Sequence, residues 1–503
     1  MNLVKKANFT LFATVVFLLC ASVVVTLAKD LQLVEAAKNR DEQLVAELLK
    51  QKVDVDKAQP DGSTALHWAA HWNELKTISM LIRAGAQVNV ANRYGATPLW
   101  LASGNRNESA VLALLKGGAD PNVYLVSGET PLMVAARSGD VDVITALLNY
   151  GSIVDEVEKS YGQTALMWAI AEGHIDVVKT LIAHGANVNK GSKQGFTPLM
   201  FSARVGNEDL GRLLVFHGAD VNTVADDGSS SLLVASVRGH VPLAKFLLGQ
   251  GADPNAAQAG YTALHWASCI WESNTTHEYI FTTGEWTAWA GIPTRDQKFE
   301  LIEALIAHGA DVNARMTKSA PRYGFTLFGL QWSGSGLAGA TPFYLAAMSG
   351  DVEAMRVLLN HGADPLMSAA DQTTPLMVAA GRARTDAETR IPEADALAAT
   401  ILALKLGNDI NAVNEAGETA LHASALAGLD TVTEHLVKNG ADLNMRTNQG
   451  LTALAITEGV VVAMQTIVRP STAALLRKLG ARPIETSGVI HLNLDAPLGS
   501  GRR

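Results

Sequence analysis

Between Thr164 and Gly185 the apolar residues fall into two clusters with helical spacing. Ala165, Leu166, Trp168, Ala169 and Ile170 form the first, which closes near Gly173; Ile175, Val177, Val178, Leu181 and Ile182 form the second. The pattern predicts two short helices. Thr164 stands where a hydroxyl accepts from amides that the first turn leaves without partners. Gly185 stands where a helix exit takes left-handed backbone. Near copies fill most of the chain, anchored at Thr64, Thr97, Thr130, Thr164, Thr197, Ser230, Thr262, Thr341, Thr374, Thr419 and Thr452, mostly 32 to 34 residues apart. Proline follows the anchor at Pro98, Pro131, Pro198, Pro342 and Pro375, the first helical position, where its missing N–H costs nothing.

The rhythm divides the chain. Residues 29–60 keep both apolar stripes without the threonine anchor, and their first helix carries Glu35, Lys38 and Arg40, as an end unit needs on the side no neighbour covers. Regular repeats fill 61–270. From 271 to 340 one repeat is split by insertions at about 271–296 and 316–337, its second helix resuming at 298–313. Further repeats span 341–481, with a charged insertion at 382–396, and 482–503 reads as a frayed tail, with a strand at "VIHLNLD", which alternates weakly, as the alternative.

The period, the "TALHWA" starts at Thr64 and Thr262, the "GADVN" exits and the glycine turns before each anchor resemble the ankyrin repeat over roughly 31–481. The resemblance implies an all-α solenoid of stacked helix-turn-helix units with short hairpin loops, curved so that one wall is concave. It also implies non-catalytic recognition of a partner protein. In the family the contacts come from hairpin tips and from residues closing the first helix. Carried onto this sequence, the tips give Arg93, Tyr94, Tyr161, Lys193, Phe196, Asp227 and Tyr261, and the helix ends give Trp72, Arg137, Arg204 and Arg238. Arg137, Arg204 and Arg238 along one wall suit a carboxylate-bearing partner.

Aromatic content adds a second candidate region. Of 29 Phe, Trp and Tyr residues, 13 lie within 266–344. Trp271, Trp286, Trp289 and Trp332, in or beside the insertions, either hold the loops down as a satellite core or are partly presented to a ligand. A ligand-binding protein or enzyme with its site in 271–337 is the alternative from another class.

Charge and chemistry narrow the partners. A net charge of −9 with no basic stripe argues against nucleic acid. HExxH, CxxC, GxSxG and GxxxxGK[ST] do not occur, and no cofactor or catalytic residue is expected. His265, Cys269, His277 and Glu278 come nearest to a metal cluster, but His265 fills the "TALH" position, where the resemblance gives it a structural role. Met133, Met167, Met200 and Met377 occupy that position elsewhere, which argues packing. The Asp of each "GAD" exit reads as a turn former.

Lys5 and Lys6 precede about 20 mostly apolar residues, an export signal with an acceptable cleavage site after Ala28. Cleavage would leave Cys269 as the sole cysteine, unable to form an internal disulfide. The expectation is a periplasmic or secreted protein. Left uncleaved, residues 1–28 would tether the array to the inner membrane, facing the periplasm.

Overall fold

The computed structural model describes residues 31–269, 294–318, 326–327, 330–331, 337–382, 391–462, 465–483 and 490–491. Residues 1–28, Trp271, Trp286, Trp289, Trp332, His277 and Glu278 lie outside them. The chain divides into two units, Met1–Asp220 and Val221–Arg503.

In the first unit, helices at 31–38 and Glu42–Lys50 precede five pairs: Ala65–His71 with Leu75–Arg83, Pro98–Gly104 with Glu108–Lys116, Pro131–Ser138 with Val141–Asn149, Ala165–Ala171 with Ile175–Ala183, and Pro198–Val205 with Glu208–Phe216. The anchors start the first helices as expected. Thr97, Thr130, Thr164 and Thr197 hold extended backbone, and each side chain accepts from the amide three residues on. Asp41, Asn107, Asp140 and Asn207 cap second helices in the same way.

First helices pack on first helices and second on second along the stack. The leucine two residues after each anchor (Leu66, Leu99, Leu132, Leu166 and Leu199) is at most 1% exposed. So are the second-helix partners Ile78, Leu81, Leu114, Leu147, Val178, Leu181 and Leu214. Each such side chain is worth about 1.5–3 kcal/mol of burial, supplied by its own repeat's partner helix together with the neighbouring repeats. At 31–38, Leu33, Val34, Ala36 and Ala37 are buried while Glu35, Lys38 and Arg40 are exposed.

The exits are tied by asparagines. Asn89 Nδ2 donates to Gly118 O at 3.0 Å and its Oδ1 accepts from the Asp120 amide at 2.8 Å, and Asn122 and Asn189 repeat the contact one unit on. Asp120 also accepts from the Asn122 amide, so the "GAD" carboxylate forms the turn.

The second unit pairs Ser231–Val237 with Val241–Gly249, Ala263–Ser268 with Arg295–Ala307, Pro342–Met348 with Val352–Asn360, Pro375–Ala379 with Glu393–Lys405, Ala420–Ala427 with Asp430–Lys438, and Ala453–Glu458 with Pro470–Lys478. In the split repeat the second helix begins three residues before the expected 298, because Thr294 and Gln297 close a capping box. Asn255 carries the exit tie across the insertion to Gly309 O and the Asp311 amide. Lys298 reaches the buried Asp351, the N-cap of the next second helix, at 2.8 Å.

Two short β elements interrupt the helices. Thr326–Leu327 pairs antiparallel with Leu330–Gln331 inside the second expected insertion. Val460–Val462 pairs antiparallel with Gln465–Ile467 and parallel with Ile490–His491. The stretch read as a frayed tail therefore supplies a strand, because the β-branched run at 460–462 leaves an edge for it. The helix Glu393–Lys405 also starts inside the expected 382–396 insertion, and Arg382 before it is buried against Glu418 at 2.8 Å.

Candidate protein-interaction surface

Successive hairpin tips in the first unit are joined by one backbone bond each. The amide of Arg93 donates to Asp61 O at 2.9 Å, Val126 to Tyr94 O at 3.1 Å, Lys159 to Ser127 O at 2.9 Å, and Lys193 to Tyr161 O at 2.8 Å. The tips thus form a fixed row, each turning at a left-handed glycine such as Gly95 or Gly162, and the reversal of the chain there gives the residues before and after it different exposure. The residue before each turn glycine points out: Tyr94 is 70% exposed and Tyr161 63%. The residue after it points in.

That difference across the turn glycine corrects one expected contact. Tyr261 follows Gly260 and is only 2% exposed, its ring against Trp266 at 6.4 Å. Phe196, at the same step, is half-buried. Arg238 is a second correction. It lies one position beyond Arg137 and Arg204 when counted from the anchor, and as the C-cap of Ser231–Val237 it is buried. One residue turns a helix by about 100°, which takes the side chain off the face the other two occupy. Arg137 and Arg204 are exposed in the last turns of their helices, each closed by a left-handed glycine, Gly139 and Gly206. Asp227, in the second unit, is exposed and accepts from the Ser229 amide.

The first-helix side of this unit also holds aromatic residues that were not among the expected contacts. Trp68 and Trp168, four residues after their anchors, are half-buried. Lys38 lies over the Trp68 ring at 5.2 Å and Arg137 over Trp168 at 5.0 Å. Trp68 donates to Gln59, and Trp72, 41% exposed, donates to Lys38 O at 3.1 Å. The signal that could have found them is positional: the fourth residue after the anchor is large and apolar at Trp68, Leu101, Val134, Trp168 and Phe201, more apolar than a helix pair needs for its own core. Tyr124 (50% exposed) and Val126 (70%), on the tip row, were missed as well.

Charge is displayed unevenly along the tips. Glu158 is buried, its carboxylate accepting from the amides of Ser160, Tyr161 and Gln163. Asp61 turns into the Ser63 amide and hydroxyl, and the Ser63 amide, first among its neighbours, holds its pKa below the usual carboxylate value. Arg93, Lys159 and Lys193 stay exposed and lie back across the preceding tip, reaching Pro60 O, Val126 O and Lys159 O.

On the other side of the same unit a groove of about 920 Å³ runs between Leu75–Arg83 and Glu108–Lys116, with Met80, Ile82 and Leu112 in its floor and Lys76, Arg83 and Lys116 at its rim. His265 and Cys269 are committed to packing. His265 is 1% exposed, its Nδ1 facing Thr262 and its Nε2 on the carbonyls of Ala314 and Ala340. Cys269 contacts the Ser349 hydroxyl at 3.3 Å. Among the described residues no helix is long and apolar enough to cross a membrane.

Family models for ankyrin repeats match this sequence over most of its length: a three-copy model at residues 33–125, 113–192, 132–225, 199–285 and 294–387, and a many-copy model at 401–456. Over 130 residues, 25% of the chain, the sequence is 32% identical to the transient receptor potential cation channel subfamily A member 1 homolog of Caenorhabditis elegans, of which the match spans 10%.

Proposed function

Because the chain belongs to the ankyrin repeat family, whose members generally mediate protein–protein interaction, we propose that it is an exported binding protein that scaffolds, inhibits or protects a partner. The contact residues are Trp72, Tyr94, Tyr161, Arg93, Arg137, Lys193, Phe196, Arg204 and Asp227, with Trp271, Trp286, Trp289 and Trp332 of the insertions as a second contact region. The observation that carries this reading is the exposure of Trp72, Tyr94 and Tyr161 on one unit. The backbone beneath the two tyrosines is fixed by the tip ladder. Large rings held in water on a preordered frame bind at little entropic cost, and such rings dominate binding energy where they are covered.

The compartment follows from Lys5, Lys6 and the apolar run behind them, which favour export to a periplasm or the cell exterior. The apolar run is also long enough for a membrane tether, the second reading. Intact mass of the exported protein separates them. A chain starting at Lys29 supports release, and an unprocessed chain in the membrane fraction supports the tether.

Affinity capture from the native host, with the wild-type chain beside Trp72→Ala/Tyr94→Ala/Tyr161→Ala, tests the binding surface. A partner retained by the wild type and lost by the variant at unchanged melting temperature is the expected result. An identical partner list for both proteins would remove these residues from the interface.

A further inference from the structure

Resting on that reading, we propose that the tip row of the first unit binds an extended, acidic segment of the partner protein, with carboxylates three residues apart and one apolar residue at a fixed place. Four equivalent positions, defined by the amide each gives to the preceding tip, carry Arg93, Val126, Lys159 and Lys193. Three are cations and the second is a valine left 70% exposed. The nearby carboxylates of Asp61 and Glu158 are turned into the tips' own amides and Glu129, one residue past Gly128, is half-buried, so the row's three exposed cations outnumber its one remaining carboxylate although the whole chain is at −9.

Each cation reaches a carbonyl oxygen, and a carboxylate is the stronger acceptor for each of them. Tyr94 stands beside Arg93 and Tyr161 two residues beyond Lys159, so these two charges have an apolar flank. Adjacent repeats are spaced by packed helices about 10 Å apart. An extended chain rises about 3.3 Å per residue, so three residues span one repeat. The partner motif is therefore E-x-x-Φ-x-x-E-x-x-E, or the same order reversed, with Φ apolar and seated on Val126 and Tyr124, whose ring Lys159 overlies at 4.7 Å.

The test uses labelled peptides and the full chain at ~10 mM salt, where charges act over about 30 Å. The probes are Glu-Ser-Gly-Leu-Ser-Gly-Glu-Ser-Gly-Glu, its reversed order, and a copy of each with Gln for Glu. Fluorescence anisotropy should show one acidic peptide binding at least tenfold more tightly than its Gln copy. That advantage should shrink at roughly 0.15 M salt. Arg93→Glu/Lys159→Glu/Lys193→Glu, all exposed and so compatible with the fold, should abolish it, while the same charge change on the other side of the unit, Lys76→Glu/Arg83→Glu/Lys116→Glu, changes it less than twofold.

Equal binding of acidic and Gln peptides, or an unaffected triple variant, would overturn the proposal. So would tighter binding of a single-stranded oligonucleotide, which would make the row a polyanion surface of another kind. Failure here alongside partner loss in the Trp72/Tyr94/Tyr161 variant would leave the protein-binding role standing and remove only this motif.

Discussion

His265 carries its proton on Nε2, because the Thr262 amide, which can only donate, meets Nδ1 at 3.1 Å. The Nε2 proton is shared by the carbonyls of Ala314 and Ala340, which lie beyond the insertion. Burial is the largest influence on the ring and, despite those carbonyls, takes its pKa from 6.5 down to about 4. The unfolded chain binds the proton near pH 6.5 and the folded chain only near 4. The ring's share of stability is therefore whole above 6.5, declines through that window as pH falls, and levels off below it, a loss of about 3 kcal/mol. His67 and His422 shift in the same direction, first through burial. His265→Met, which borrows the residue of the equivalent positions in other repeats, should cost about 1–3 kcal/mol at neutral pH through the carbonyls it strands. It should also flatten the acid limb of the melting curve, and thermal melts across pH 4 to 7 that fall equally steeply in both proteins would refute this account. The histidines and the anchors were legible in the sequence because each repeat states them again. Tyr261 and Arg238 were misread because residue type outweighed register. One step past the turn glycine, or one past the last helical turn, moves a side chain from water to core.

At the scale of the element, period made the helix pairs readable, and its loss made the insertions opaque. Nothing in the sequence between Thr262 and Thr341 announces that Asn255, Lys298 and Asp351 bridge the gap, since those ties join residues 53 to 56 apart. The hairpin at 460–467 escaped for a related reason: a valine run fits helix or strand until a partner such as 490–491 decides it. Glycine turns are where elements meet most closely, and two of them separate backbone conformation from crowding. Gly228 and Gly251 have almost the same φ, +87° and +86°, yet a Cβ on Gly228 would overlap the backbone of Gln258 and Ala259 in the next tip, whereas at Gly251 it would meet nothing within 4 Å. Gly251→Ala should therefore cost only the left-handed penalty, about 1–2 kcal/mol. Gly228→Ala must in addition push two tips apart, and its denaturant midpoint should fall at least twice as far. Equal shifts would mean that these two tips of the second unit yield freely to the added methyl group.

At the scale of the whole molecule, the described helices of each unit pack on those of neighbouring repeats, so position along the array governs stability there more than the burial of any one side chain. Leu33, Val34, Val45 and Leu48 in the first two helices are 0–3% exposed, as well buried as Leu166 and Leu181 in the repeat anchored at Thr164. If burial set local stability, the two regions would open together. In a nearest-neighbour array they do not, because the helices at 31–50 pack against one following repeat while the Thr164 repeat packs against one on each side within its unit. Opening the end breaks one interface, and opening the interior breaks two. Amide exchange followed by mass spectrometry should accordingly find peptides from 31–50 exchanging at least tenfold faster than those from Ala165–Ala171 and Ile175–Ala183. The tip row at 93–193 lies inward of that end, so it should stay ordered while the end repeat frays, as a surface must if it is to bind without first folding. Equal protection at 31–50 and 165–183 would show the first unit opening as one cooperative block, and the additive account of its stability would fail.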